Sequence, residues 1–161
     1  MIELAIVLML IGILMTIGTT ALLRARMAGN ESAAIANMQT INNGQFAYLA
    51  GCGRGYYATS LEILGTPTVG KGDGYISPSL ADSAVLTGYR FAIGESTGGA
   101  AGPQDCNNAV TQTKYYASAI PAAPGSSDDR SFATNHNGTI WALQGGTPPA
   151  EPFGPPAVHA R

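Results

Sequence analysis

The first 23 residues, MIELAIVLMLIGILMTIGTTALL, hold almost nothing but apolar and small side chains. From Leu4 to Leu23 there is no charge and no proline, and Arg24 and Arg26 close the run. About 20 such residues can cross the hydrocarbon core of a bilayer as a helix. The pattern then changes without a break. Met27, Ala34, Met38, Ile41, Gln45 and Tyr48 recur at helical spacing, while Glu31, Ser32, Asn37, Asn42 and Asn43 lie mostly off that face. This predicts one rod from Ile2 to about Ala50, roughly 70 Å long, with an apolar first half and an amphipathic second half. Gly29, Asn42, Asn43 and Gly44 are poor helix formers, so packing against other elements must hold the second half.

Beyond Gly51 the pattern is loop-like to about Thr87, with a short helix around Ser60–Leu64. Three strand-bearing stretches follow. GYRFAIG alternates around Tyr89, Phe91 and Ile93, TKYYASAIPA comes next, and RSFATNHNGTIWAL reads as a hairpin turning at His136-Asn137-Gly138. Asn-Gly suits a type I′ turn, which needs positive φ at both Asn137 and Gly138. The fold class is therefore α+β, a long N-terminal helix packed on an antiparallel sheet of about four strands. Five segments follow: an apolar helix long enough to span a bilayer at 1–25, its amphipathic continuation at 26–50, a connecting loop at 51–86, the sheet of a globular head at 87–145 and a Pro/Gly-rich tail at 146–161. Such a tail favours extended, solvated chain, or it lies across the head of a neighbouring subunit.

Composition narrows the function. With 161 residues the chain is enough for about one domain. A formal net charge of -2 argues against a general nucleic-acid binder. Catalysis finds little support. His136 lies in the turn, where a histidine is normally solvated, and His159 lies in the tail. GKGDG at 70–74 lacks the spacing of a phosphate-binding loop. Asp73, Asp82 and Asp105 are scattered, whereas calcium needs six to eight oxygens. No catalytic residue, cofactor or metal is assigned. Asn137-Gly138-Thr139 and Asn30-Glu31-Ser32 fit N-x-[ST], the first better read as turn chemistry and the second as helix. The tyrosines and phenylalanines are read as packing residues rather than a conducting stack.

Glu3 is the anomaly. A signal peptide would begin with basic residues, and here a carboxylate stands instead. M-I-E-L-A-I-V-L-M-L-I-G-I-L resembles the N-terminus of type IV pilins and the related pseudopilins. N-E-S-A-A-I-A-N-M-Q-T-I-N and the residues to about 65 resemble the exposed half of the pilin helix and the loop after it. The resemblance implies a pilin fold, a leader removed by a prepilin peptidase, N-methylation, and a homopolymeric filament built from an inner-membrane pool by a pilus assembly machinery. It implies a surface filament serving adhesion, twitching motility or DNA uptake. It also implies that Glu3 meets the N-terminal amine of the neighbouring subunit, with Met1, Leu4, Leu8, Ile11 and Leu14 in the assembly contact. A carboxylate in an apolar medium needs such a partner, although the helix dipole alone also favours an acid in the first turn. The family's glutamate is fifth, so the displaced Glu3 is read as a chain lacking two mature residues and the leader. The alternative is an unusual register beginning at Met1.

The family's proline near Thr20 is replaced by Gly18-Thr19-Thr20. Gly12 and Gly18 either let the helix unwind in the filament or allow close packing of helices. An even cysteine count in an exported protein suggests a Cys52–Cys106 disulfide rather than two free thiols. Arg24 and Arg26 taken alone place the C-terminus in the cytoplasm. The cysteine pair and the resemblance place the head outside. A pseudopilin of a type II secretion system and a monomeric membrane-anchored domain are the alternatives.

Overall fold

The structure is a computed structural model that describes residues 2–68, 70, 72–82, 85–123 and 130–160, with the side chains of residues 14–21 outside the description. The first element is a single helix, α1, Ile2–Ala50, 49 residues long. It is followed by β1 (Tyr57–Ala58), α2 (Leu61–Gly65), α3 (Pro78–Asp82), β2 (Tyr89–Glu95), β3 (Ala101–Gln104), β4 (Val110–Gln112), β5 (Tyr115–Pro121), β6 (Arg130–Asn135), β7 (Trp141–Gln144) and β8 (Val158–His159). The class is α+β, with antiparallel sheets beside an N-terminal helix.

The single sheet of about four strands is corrected to two. The larger has five strands in the order β2-β5-β6-β7-β8, and the smaller has three in the order β1-β4-β3. Two causes explain the difference. The tail returns to pair as β8 on the edge of β7, through Trp141↔His159 and Ala142↔Val158. The segment after the helix is held as a strand because side chains satisfy its backbone. Gln45 Oε1 accepts from Ala58 N–H at 2.9 Å, and Gln45 Nε2 and Gln112 Nε2 both donate to Ala58 C=O at 3.0 and 2.9 Å. A buried backbone group needs such a partner, and one glutamine supplies both.

β2 pairs with β5 over seven residues, from Tyr89↔Pro121 to Glu95↔Tyr115. In β5 and β6 the alternation of buried and exposed positions is nearly lost, because the sheet is covered on both faces. One face meets α1, where Ala34, Met38, Ile41, Gln45 and Tyr48 are all at most 1% exposed. The other meets the tail, where Tyr116 Oη donates to Pro149 C=O at 2.6 Å and Ser131 Oγ to Gly145 C=O at 2.5 Å. One continuous core joins α1, α2, α3 and both sheets.

The turn after β6 also differs from expectation. Gly138 has φ +76°, but among the described residues the non-glycine positions with positive φ are Arg54, Thr87 and Asn108, so Asn137 does not adopt the type I′ conformation. The Asn135 side chain takes over instead, accepting from Asn137 N–H at 3.0 Å, while Gly138 N–H donates to Asn135 C=O at 2.8 Å. The loop is longer than a two-residue turn, with Ala133↔Trp141 the last ladder pair. An Asx interaction of this kind replaces the need for left-handed backbone at Asn137. His136, expected to be solvated, is half-buried, and its Nδ1 is buried without a partner.

Candidate assembly surface

α1 is two surfaces on one rod. Its second half is bound into the head by polar anchors as well as by the apolar stripe. Asn42, placed off the stripe by periodicity, is in fact 5% exposed. Its Oδ1 accepts from Tyr115 Oη at 2.8 Å and its Nδ2 donates to Gly138 C=O at 2.9 Å. Burial raises the Tyr115 phenol well above its ordinary value. Glu31, also placed off the stripe, takes both oxygens to Arg130 at the start of β6, with Nε at 3.1–3.2 Å and Nη2 at 2.5 Å. At the upper end, burial and the Asp105 carboxylate hold the Tyr48 phenol protonated far above its ordinary value. Asp105 accepts from Tyr48 Oη at 2.6 Å and from the backbone of Asn107 and Ala109 at 2.8 and 2.7 Å.

Asp105 is thereby fully engaged inside the head, whereas Asp73 and Asp82 are exposed. Among the described residues no group of three potential metal ligands occurs. The Cys52–Cys106 disulfide is present, with a Cα–Cα distance of 4.9 Å across a sequence separation of 54. It ties the end of α1 to the turn before β4, reinforced by Cys106 N–H donating to Cys52 C=O at 3.2 Å.

The first half of α1 has no such cover. Ile2 is 77% exposed, Leu4 69%, Leu8 68%, Met9 72% and Ile11 43%. Exposure runs round the helix rather than along one stripe, since Ile6, Val7, Leu10 and Ile13 are exposed too. Glu3 stands in its first turn and is exposed. Gly12 lies within the unbroken helix with open space where a Cβ would project. Of the residues assigned to assembly, Glu3, Leu4, Leu8 and Ile11 therefore share this projecting surface. Met1 and the side chain of Leu14 lie outside the described residues, as do the surroundings of Gly18. Among the described residues no helix is long and apolar enough to cross a membrane, and the expected span runs through residues 14–21.

Asn137 and Gly138, assigned to the turn, cap the head beside α1. Sequence reasoning missed a second polar cluster. Glu151 in the tail accepts from Ser96 Oγ at 3.1 Å, Thr97 N–H at 2.7 Å and Asn135 Nδ2 at 2.5 Å. Beside it Phe153 stacks between Tyr116 and Trp141, and His159 lies against Trp141 with ring centroids 4.1 Å apart. Burial and the nearby Glu151 charge push the Tyr116 phenol up to about 12. The only sequence signal was a lone acid and a lone phenylalanine within a proline-rich tail.

Comparison with protein-family models, with curated proteins and with solved structures returned no match.

Proposed function

We propose that the chain is the structural subunit of an extracellular helical filament of the type IV pilin kind. The observation that carries this reading is the division of α1. One face of its second half is buried beneath a sheet, and residues 2–13 of its first half present large apolar side chains to the surroundings all round the helix. A surface of that kind is unstable in water and needs lipid or other apolar helices around it. A filament supplies both in turn. The subunit waits in the inner membrane, and on assembly its helix exchanges lipid for neighbouring helices while the head tiles the outside.

Glu3 fits the same sequence of events. Surrounded by apolar neighbours, its charge requires a partner, and the N-terminal amine of an adjacent subunit is one. The pairing neutralises two buried charges and sets the axial step. The head has no role in chemistry on this reading, and its bridge, tail and ion pair make it a rigid tile. The prepilin peptidase and the assembly machinery are the partners implied.

The decisive experiment is to shear the cell surface, image the material by electron microscopy and identify its subunit and N-terminal residue by mass spectrometry. Long filaments of this chain, with a methylated residue ahead of Met1, are the expected outcome. Protein retained in the envelope without filaments would overturn the reading and leave a pseudopilin or a monomeric anchor.

A further inference from the structure

Where the tail crosses the hairpin end of the large sheet, three distant stretches of chain enclose a cleft of about 490 Å³. The loop after β2 contributes Ser96 and Thr97. The connection from β6 to β7 contributes residues between Asn135 and Trp141, and the tail contributes Glu151, Pro152 and Phe153. The size falls within the roughly 300–1,000 Å³ of clefts that take small molecules.

The walls are held from within the head. Glu151 accepts from Ser96 Oγ, Thr97 N–H and Asn135 Nδ2 at 2.5–3.1 Å. Asn135 is buried, and its Oδ1 accepts from Asn137 N–H at 3.0 Å, so one amide ties the tail to the turn. The apolar side of the cleft is made by Trp141, Phe153 and Pro152. Phe153 stacks between Tyr116 and Trp141, which braces that side with a row of rings. Side chains fixed in this way meet a ligand with little ordering cost.

The other polar groups are uncommitted. Among the described residues no hydrogen bond engages the side chain of Thr97, Asn137 or Thr139, although the backbone of Thr97, Asn137 and Thr139 is bonded. His136 Nδ1 is buried and has no partner. Two hydroxyls, an amide and an imidazole thus stand beside one carboxylate and an apolar wall. The carboxylate disfavours an anion. One acid supplies too few oxygens for a hard metal ion, and among the described residues no group of three potential metal ligands occurs. A cation would find Glu151 already met by three donors, with no second acid in the lining. Hydroxyl and amide groups both donate and accept, and an imidazole nitrogen takes either role according to its tautomer. Such a set matches a ligand that carries several hydroxyls on a small C–H framework.

We propose that this cleft binds a neutral saccharide, a single hexose or N-acetylhexosamine unit. Thr97, Asn137, Thr139 and His136 meet its hydroxyls, and Trp141, Phe153 and Pro152 meet its C–H groups. The site belongs to the head alone and stands or falls independently of the filament reading.

Trp141 is the only tryptophan of the chain, so its emission reports on this cleft. The test is a fluorescence titration of the full chain in a detergent without a sugar headgroup. The probes are glucose, galactose, N-acetylglucosamine and N-acetylgalactosamine, with lysinamide and gluconate as charged controls. Saturation-transfer NMR on the sugar protons, run alongside, covers binding that leaves the emission unchanged. At least one saccharide should saturate with a midpoint of about 1–10 mM, as suits a ligand of about a dozen heavy atoms, and neither control should. Thr97→Val with Thr139→Val removes two hydroxyls and keeps both backbone bonds. That pair, and separately Asn137→Ala, should each raise the midpoint about fivefold or more and leave the melting temperature and the emission of the unliganded chain unchanged. No response to any of the four by either method up to about 100 mM, or an unchanged midpoint in both variants, would overturn the proposal. Saturation by lysinamide in place of the saccharides would make the cleft a cation site and overturn it as well.

Discussion

At the scale of single residues, two carboxylates have opposite fates. Glu151 is held by the head itself. Burial alone would raise its pKa, but the donors from Asn135, Thr97 and Ser96 and the nearby His136 outweigh this and bring it below the ordinary 4.5. A lowered folded-state value means the carboxylate stabilises the fold in its charged form. That contribution is complete above about pH 4.5 and is lost as pH falls through the folded-state value. Acidification below pH 4.5 should therefore loosen the tail before the head melts, seen as a change in Trp141 fluorescence as Phe153 leaves its ring. Glu151→Gln, which keeps the shape but weakens three hydrogen bonds, should cost about 1–2 kcal/mol in denaturant unfolding at pH 7 and flatten that acid transition. An unchanged transition in the variant would show that another group drives it. Glu3, by contrast, touches nothing in the head. Glu3→Ala should leave the melting temperature of the head unchanged while reducing filament yield severely. Normal yield would remove its assembly role.

At the scale of elements, the reading of the sequence succeeded where a pattern had one cause. The stripe Ala34, Met38, Ile41, Gln45, Tyr48 marks the buried face of α1 because a helix repeats every 3.6 residues. GYRFAIG became Tyr89–Glu95 because strand alternation survives on an edge strand with one solvated face. Ser60 was legible as the start of a short helix, and its side chain does accept from Ile63 N–H. Sequence failed where one segment's structure is dictated by another far away. β1 and β4 are too short to show a period, and the backbone of Ala58 in β1 takes side-chain partners from the distant Gln45 and Gln112. The tail looked extended by composition, yet Pro149 and Ala157 are buried because the outer face of β5 and β6 needs a cover. Asn42 and Glu31 were placed off the stripe by helical spacing, which does not show long-range partners, and each has a buried or half-buried partner across the core. The disulfide is the covalent tie between the end of α1 and the turn before β4. Closing a 54-residue separation is worth about 4 kcal/mol on the chain-entropy model. Cys52→Ser should therefore lower the melting temperature of the head by well over 10 °C, measured by circular dichroism under non-reducing conditions. An effect of only a degree or two would mean that the hydrogen bonds around Tyr48, Asp105 and Cys106 already fix this junction.

At the scale of the whole molecule, the two halves of α1 make opposite demands on the surroundings, and that division can be tested by cutting it. Among the described residues the continuous core begins at Ala34 and includes members of both sheets, α2 and α3. The ion pair from Glu31 and the disulfide also belong to the head. Among the described side chains, none of that set comes from residues 2–13 or from Leu22 and Leu23. The exposed apolar side chains of that segment, at 43% to 77% exposure, would gain on the order of 10 kcal/mol per subunit if buried. Such a gain is comparable with the whole stability of a domain, so it decides solubility and association without deciding whether the head folds. Removing residues 1–25 should therefore yield a head that stays monomeric in detergent-free buffer, by light scattering, with a cooperative melt and an intact disulfide. The full chain should need detergent or lipid and associate when it is withdrawn. A truncated head that still assembled would move the driving contact from the helix to the heads, and a truncated head that failed to fold would mean that the first half of α1 supports the core as well as the filament.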